Sequence, residues 1–140
     1  MSHGPRPSQL CLLSDLPRKQ VGDKMRFLGC VESYSPMSGI LTLEHRLPDE
    51  THPALALVDV KLVLESMRSD QTRKGEWVNV IGYITEIPPL ADDGGLSHGG
   101  PRIHAQAVLL WSAGPVDIQR YELSVKALDQ TNGVNNANSS

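Results

Sequence analysis

From Lys24 to Glu32 the chain alternates, with Met25, Phe27, Gly29 and Val31 on one side and Lys24, Arg26 and Glu32 on the other. A period of two is that of a half-buried strand. The pattern returns in Ile40 to Arg46, where Leu41 and Leu43 share one face and Thr42 and Glu44 the other. Ala54 to Val60 predicts a third strand. Glu76 to Ile87, rich in β-branched residues, predicts a fourth. Arg102 to Trp111 predicts a fifth, whose alternation is too irregular to say which face turns inward. Lys61 to Gln71 breaks the series: Leu64, Met67 and Arg68 recur at helical spacing without Gly or Pro, predicting a short helix. The last element, about Pro115 to Gln130, is a second helix. Pro115 suits a first helical position, Asp117 and Lys126 complement the helix dipole, and Glu122 and Lys126 are four apart.

Punctuation divides the chain into a polar, disordered N-terminal tail over 1–9, one domain over 10–130 that includes the helix at 115–130, and a disordered Asn-rich tail over 131–140. Neither tail can bury enough apolar surface to offset its ordering entropy. Inside the domain, Pro88 to Pro101 reads as a long Gly/Pro loop. Two segments echo each other: VGDKMRFLGCV from Val21 and KGEWVNVIGYI from Lys74. Gly22 and Gly75 are expected to turn the chain into each strand. Gly29 and Gly82 are expected where a long strand bends around a barrel. Strand order and glycine spacing together predict an all-β fold: a five-stranded OB-fold barrel, a small Greek-key architecture, with a short helix between strands three and four and a C-terminal α-helix.

Composition narrows the function. The 140 residues have 39% hydrophobic and 21% charged content, enough for one core. No apolar run approaches the ~20 residues of a membrane span. The polar start, Met1 to Pro7, lacks a signal-peptide core, so an intracellular chain without a membrane partner is expected. Cys11 and Cys30 have no metal-ligand spacing. No HExxH, GxSxG or P-loop pattern occurs, and neither His45 with Asp49 and Glu50, read as a solvated loop, nor Asp92-Asp93 completes a metal site. A non-enzymatic protein is expected, with no catalytic residue, metal or cofactor.

Binding remains. Lys24, Arg26, Tyr34, Arg46 and Arg102 are the candidate nucleic-acid contacts of such a barrel, a thin set in a chain of net charge -3. The terminal helix is richer. Ile118, Tyr121, Val125 and Leu128 form one apolar stripe, and Val116 and Leu123 lie off it, which suggests one contact with the barrel and one with another chain. Two further readings fit the same pattern: the small OB-fold subunit of replication protein A, and a stand-alone single-stranded nucleic-acid module.

The run VGDKMRFLGCVESY, then ALALVDVKLVLE, KGEWVNVIGYITEI and the C-terminal helix resembles the smallest subunit of the CST telomere-capping complex in its filamentous-fungus form, over roughly Leu10 to Gln130. The segment LSDLPRKQVGD resembles that family's entry into the first strand. The resemblance implies a single OB-fold in the nucleus, at telomeres. It would pair with the middle CST subunit through the C-terminal helix, placing Ile118, Tyr121, Val125 and Leu128 in that interface. The large subunit, single-stranded telomeric DNA and DNA polymerase α–primase would be reached as part of the complex.

Overall fold

A computed structural model describes residues 7–49, 51–89 and 100–138. Six strands form one sheet: β1 (Gln9–Leu10), β2 (Lys24–Ser35), β3 (Ile40–Glu44), β4 (Leu55–Asp59), β5 (Trp77–Glu86) and β6 (Arg102–Ser112). An α-helix, α1 (Ile118–Asn138), follows. The sheet runs β1-β2-β3-β4-β6-β5, and β2 pairs with β5 to close it. β2–β3, β3–β4, β5–β6 and β2–β5 are antiparallel, whereas β4–β6 is parallel. This is the closed mixed barrel that the strand order predicts.

Closure rests on β2, which serves two partners. Lys24 to Cys30 lie opposite Tyr83 to Trp77 of β5, and Cys30 to Ser35 lie opposite Glu44 to Ile40 of β3. The handover falls one residue after Gly29, where a Cβ would sit 2.7 Å from the Leu43 Cβ. Gly82 occupies the corresponding place in β5. A Cβ there would lie 2.4 Å from the Gln106 carbonyl oxygen, beside a bulge that leaves Val108 as the extra residue of β6. Gly22 and Gly75, at φ +95° and +94°, make the turns into β2 and β5, a backbone region that β-carbons disfavour.

That bulge explains why β6 reads irregularly. Ile103, Ala105 and Ala107 point inward, the extra residue resets the phase, and Leu110 is the next to point inward. The core also takes Met25, Phe27, Leu41, Leu43, Val58 and Val80, all essentially without solvent contact. Leu13 and Leu16 come from a 3-10 turn, Leu13–Arg18, and bury fully against this cluster.

Three expectations change. Gln9, placed in a disordered tail, pairs with Met25 as part of β1, because the β2 edge offers free backbone partners. Residues 1–6 lie outside the described residues, as do residues 90–99 of the predicted long loop and Glu50. The helix expected at Lys61–Gln71 is two 3-10 turns, Lys61–Val63 and Ser69–Thr72. Leu62 and Leu64 there stay exposed, so no continuous apolar face exists to stabilise an α-helix.

The C-terminal helix begins at Ile118 rather than Pro115 because Asp117 caps it. The Asp117 carboxylate accepts a hydrogen bond from the Arg120 N–H (3.1 Å) and its carbonyl one from the Tyr121 N–H (3.0 Å). It continues to Asn138, beyond Gln130, since each residue added to an existing helix gains a backbone hydrogen bond. The backbone of 131–138, expected as a tail, is therefore helical.

Candidate functional site

α1 divides its side chains between the barrel and solvent. Val125 and Glu122 are buried, and Ile118 and Tyr121 are half-buried. Leu123 and Leu128 stand out at 69% and 51% exposure. The four residues of the sequence stripe therefore do not share one environment. Val125 lines a cleft with Leu10, Cys11, Arg18 and Lys19, while Leu128, seven residues beyond Tyr121 on the same side of the helix, is left half uncovered.

The centre of the docked face is polar. His45, just past the end of β3, is 1% exposed, and its Nε2 lies 2.8 Å from Glu122 Oε1. Trp77 meets the imidazole edge-on, with ring centroids 5.4 Å apart, and Tyr121 lies tilted beside it at 6.2 Å. With the hydrogen on Nε2, the imidazole donates to the carboxylate. Nδ1 is then a buried atom with no partner. The solvated-loop reading of His45 is thus corrected: the ring is a buried tie between barrel and helix. The pair spans 77 positions, so spacing could not reveal it. One signal was available. Ile118, Glu122, Val125 and Asp129 recur at steps of four, three and four, which places a carboxylate inside the packed stripe.

Burial pushes the Tyr121 hydroxyl up to about 12, with a smaller push from Cys11, against the opposing effect of Arg26. The hydroxyl lies near the Leu28 backbone without completing a hydrogen bond. Burial likewise pushes the Cys11 thiol up to about 12 and raises that of Cys30, the carboxylates of Glu44 and Glu76 adding to the latter. Both remain thiols at neutral pH, which disfavours nucleophilic chemistry. Among the described residues, no group of three His, Cys, Asp or Glu side chains gathers as a metal site.

The five candidate nucleic-acid contacts do not converge. Lys24 and Arg26 share the outer wall of β2, where the Lys24 ammonium lies 5.8 Å from the Tyr83 ring centre and the Arg26 guanidinium 5.3 Å from that of Trp111. Tyr34, near the far end of β2, packs partly against the core. Arg46 follows β3 in an exposed link, and Arg102 opens β6 opposite Leu55. The surface that oligonucleotide-binding barrels commonly use, here β3 and β4, carries Glu44 and Asp59. Asp59 is engaged by Lys61, through its backbone N–H at 2.9 Å and its ammonium at 3.0 Å.

A closed mixed barrel with a parallel β4–β6 pairing and a trailing, partly exposed helix defines a single-domain OB-fold protein. The chain belongs to the Ten1 family, telomere-capping subunits of the CST complex, whose model matches residues 1–126. It is similar to the crystal structure of the Schizosaccharomyces pombe Stn1-Ten1 complex, at 26% identity and TM-score 0.65, over 91% of this chain and 96% of that one. The telomere-capping protein Ten1 from S. pombe matches at 26% identity and TM-score 0.63, over 89% and 99%. The U. maydis replication protein A bound to single-stranded DNA shares the fold at 16% identity and TM-score 0.57, over 93% and 96%. No curated protein sequence matches.

Proposed function

We propose that the chain is the non-catalytic smallest subunit of a nuclear CST complex and works by pairing with the middle subunit through the exposed apolar side chains of α1. The observation that carries this reading is the division of the helix. Its inner face is fixed by Val125 and the His45–Glu122 pair, and Leu123 and Leu128 are left exposed on a rigid support. The similarity to the S. pombe Stn1-Ten1 complex supports the choice of partner. On this reading Ile118, Tyr121 and Val125 act by setting the helix in place, and Leu128 with Leu123 meets the partner. The large subunit, telomeric single strands and polymerase α–primase are engaged within the assembly.

Co-expression with candidate middle subunits tests it. The CST middle subunit should give a stable pair and that of replication protein A should not. Leu123→Glu and Leu128→Glu together should abolish the pair without unfolding the chain, because they place charges in an apolar seam. Pairing that survives both substitutions would move the interface elsewhere.

A further inference from the structure

The wall formed by β2, β5 and β6 carries a constellation that the pairing role does not use. Register sets its residues in rows: Lys24 beside Tyr83 and Gln106, and Arg26 beside Ile81 and Leu109. Trp111 stands across β5 from Leu28, through Asn79. Leu109 is an apolar side chain at 56% exposure in the middle of this wall.

We propose that this wall is a contact surface for single-stranded nucleic acid, in which the Arg26 guanidinium over Trp111 and the Lys24 ammonium over Tyr83 form two adjacent base-stacking and phosphate-holding plates. The surface is distinct from β3 and β4, the face that such barrels commonly use. The inference stands beside the pairing role and does not rest on it.

Two independent observations carry it. The first is geometric. Each cation lies within the ~6 Å at which a ring face attracts it. The ring helps to hold the cation in place. Bases stack on arginine planes as they do on aromatic rings, and this is tolerant of sequence because every base has a π-face. Positions 24 and 26 are two apart on one strand, so their Cα atoms stand about 6.8 Å apart, and Arg26 reaches toward Trp111 in the next row, away from Tyr83.

The second observation is charge. The chain as a whole is acidic, at -3, yet Lys24–Val31, Trp77–Thr85 and Arg102–Ser112 contain no Asp or Glu. Four acids adjoin these segments in sequence, Asp23, Glu32, Glu76 and Glu86, each at or beyond a segment end, and Asp23 is engaged by the Gln20 N–H at 2.9 Å. The three strand segments themselves thus carry no acid to repel phosphate, whereas β3 and β4 carry Glu44 and Asp59. Leu109 and Ile81 supply apolar contact between the plates.

The experiment uses the full chain, alone and paired with the middle subunit, with a short oligothymidylate as the probe. The chain has two tryptophans, so Trp77→Phe leaves Trp111 as its sole tryptophan, read by excitation at a wavelength that tyrosine does not absorb. Added oligonucleotide should quench its emission saturably. Arg26→Ala and Trp111→Ala should each weaken binding about tenfold, the loss of one stacked base. Arg102→Ala, at the start of β6, should weaken it less than threefold. Arg26→Lys keeps the charge and loses the plane, so it should retain the salt dependence and lose most of the affinity. Arg26 is exposed, which keeps its two variants informative even where Trp111→Ala fails to fold.

Unchanged Trp111 emission with bound oligonucleotide would overturn the proposal, as would wild-type affinity in the Arg26 variants or no binding by either form. Emission that shifts on pairing, with quenching then lost, would make the wall a protein-docking face and also overturn it. Quenching in a chain that fails to pair would leave this inference standing and remove the pairing role instead.

Discussion

The barrel and the helix α1 are held in contrasting ways. Each of β2 to β6 is bonded to a neighbour on both sides, and glycine stands where a side chain would collide. α1 has no ladder to the barrel. It rests on Val125, the half-buried Ile118 and Tyr121, and one buried polar pair. Redundancy makes the barrel a fixed frame, whereas the helix depends on a few specific contacts. Barrel closure and helix placement therefore rest on separate sets of contacts, and substitutions should affect them separately.

The sharpest break in that contrast is Gly82→Val. Its β-carbon would meet the Gln106 carbonyl at 2.4 Å, backbone that no rotamer change can clear. We expect a loss above about 3 kcal/mol, with unfolding by heat or denaturant as the readout. Wild-type stability would show that the bulge can absorb the side chain. Next in size is the helix tie. His45→Ala or Glu122→Ala should each cost about 1–3 kcal/mol by stranding a buried partner. A double-mutant cycle should give a coupling of about 0.5–3 kcal/mol, and additive losses would mean that the pair does not act as one contact.

A smaller effect concerns pH. The Tyr121 hydroxyl is held by burial at about 12, above the ordinary tyrosine value of ~10. The unfolded chain therefore releases this proton first. Stability from Tyr121 is present below pH ~10 and is lost as pH rises toward 12. Tyr121→Phe should flatten that alkaline decline, and a decline of unchanged steepness would assign it to other groups. The smallest effect lies on the barrel surface. Partial burial pushes the Asp59 carboxyl up, but the hydrogen bonds and charge of Lys61 outweigh it and hold the group below its ordinary range. Its contribution is present above pH ~3.9 and is lost as pH falls through the lowered value. The pair is largely exposed, so Asp59→Asn should change neutral-pH stability by only a few tenths of a kcal/mol.

Legibility in the sequence follows the same division. β2 and β5 could be read because alternation and paired glycines are local signals, and Gly22, Gly29, Gly75 and Gly82 each stand where their spacing implied. β6 could not be oriented, because a single extra residue, Val108, inverts the phase midway. The helix stripe at Ile118, Tyr121, Val125 and Leu128 was visible as a pattern. Its division between barrel and solvent was not, because that depends on His45, a loop residue in sequence and a buried one in space. The stacking of Arg26 on Trp111 was hidden for the same reason, since it joins strands far apart along the chain.

The parallel pairing of β4 with β6 bears on how the molecule is made. β6 bonds to β4 on one side and β5 on the other. A chain emerging from the ribosome that has not yet reached Ser112 must hold both of those strands as open edges, ready to pair with any neighbour. The last strand to be synthesised is the one that removes them. Newly made protein is thus most prone to aggregate just before its barrel is complete, and a truncation within β6 would keep every copy in that state.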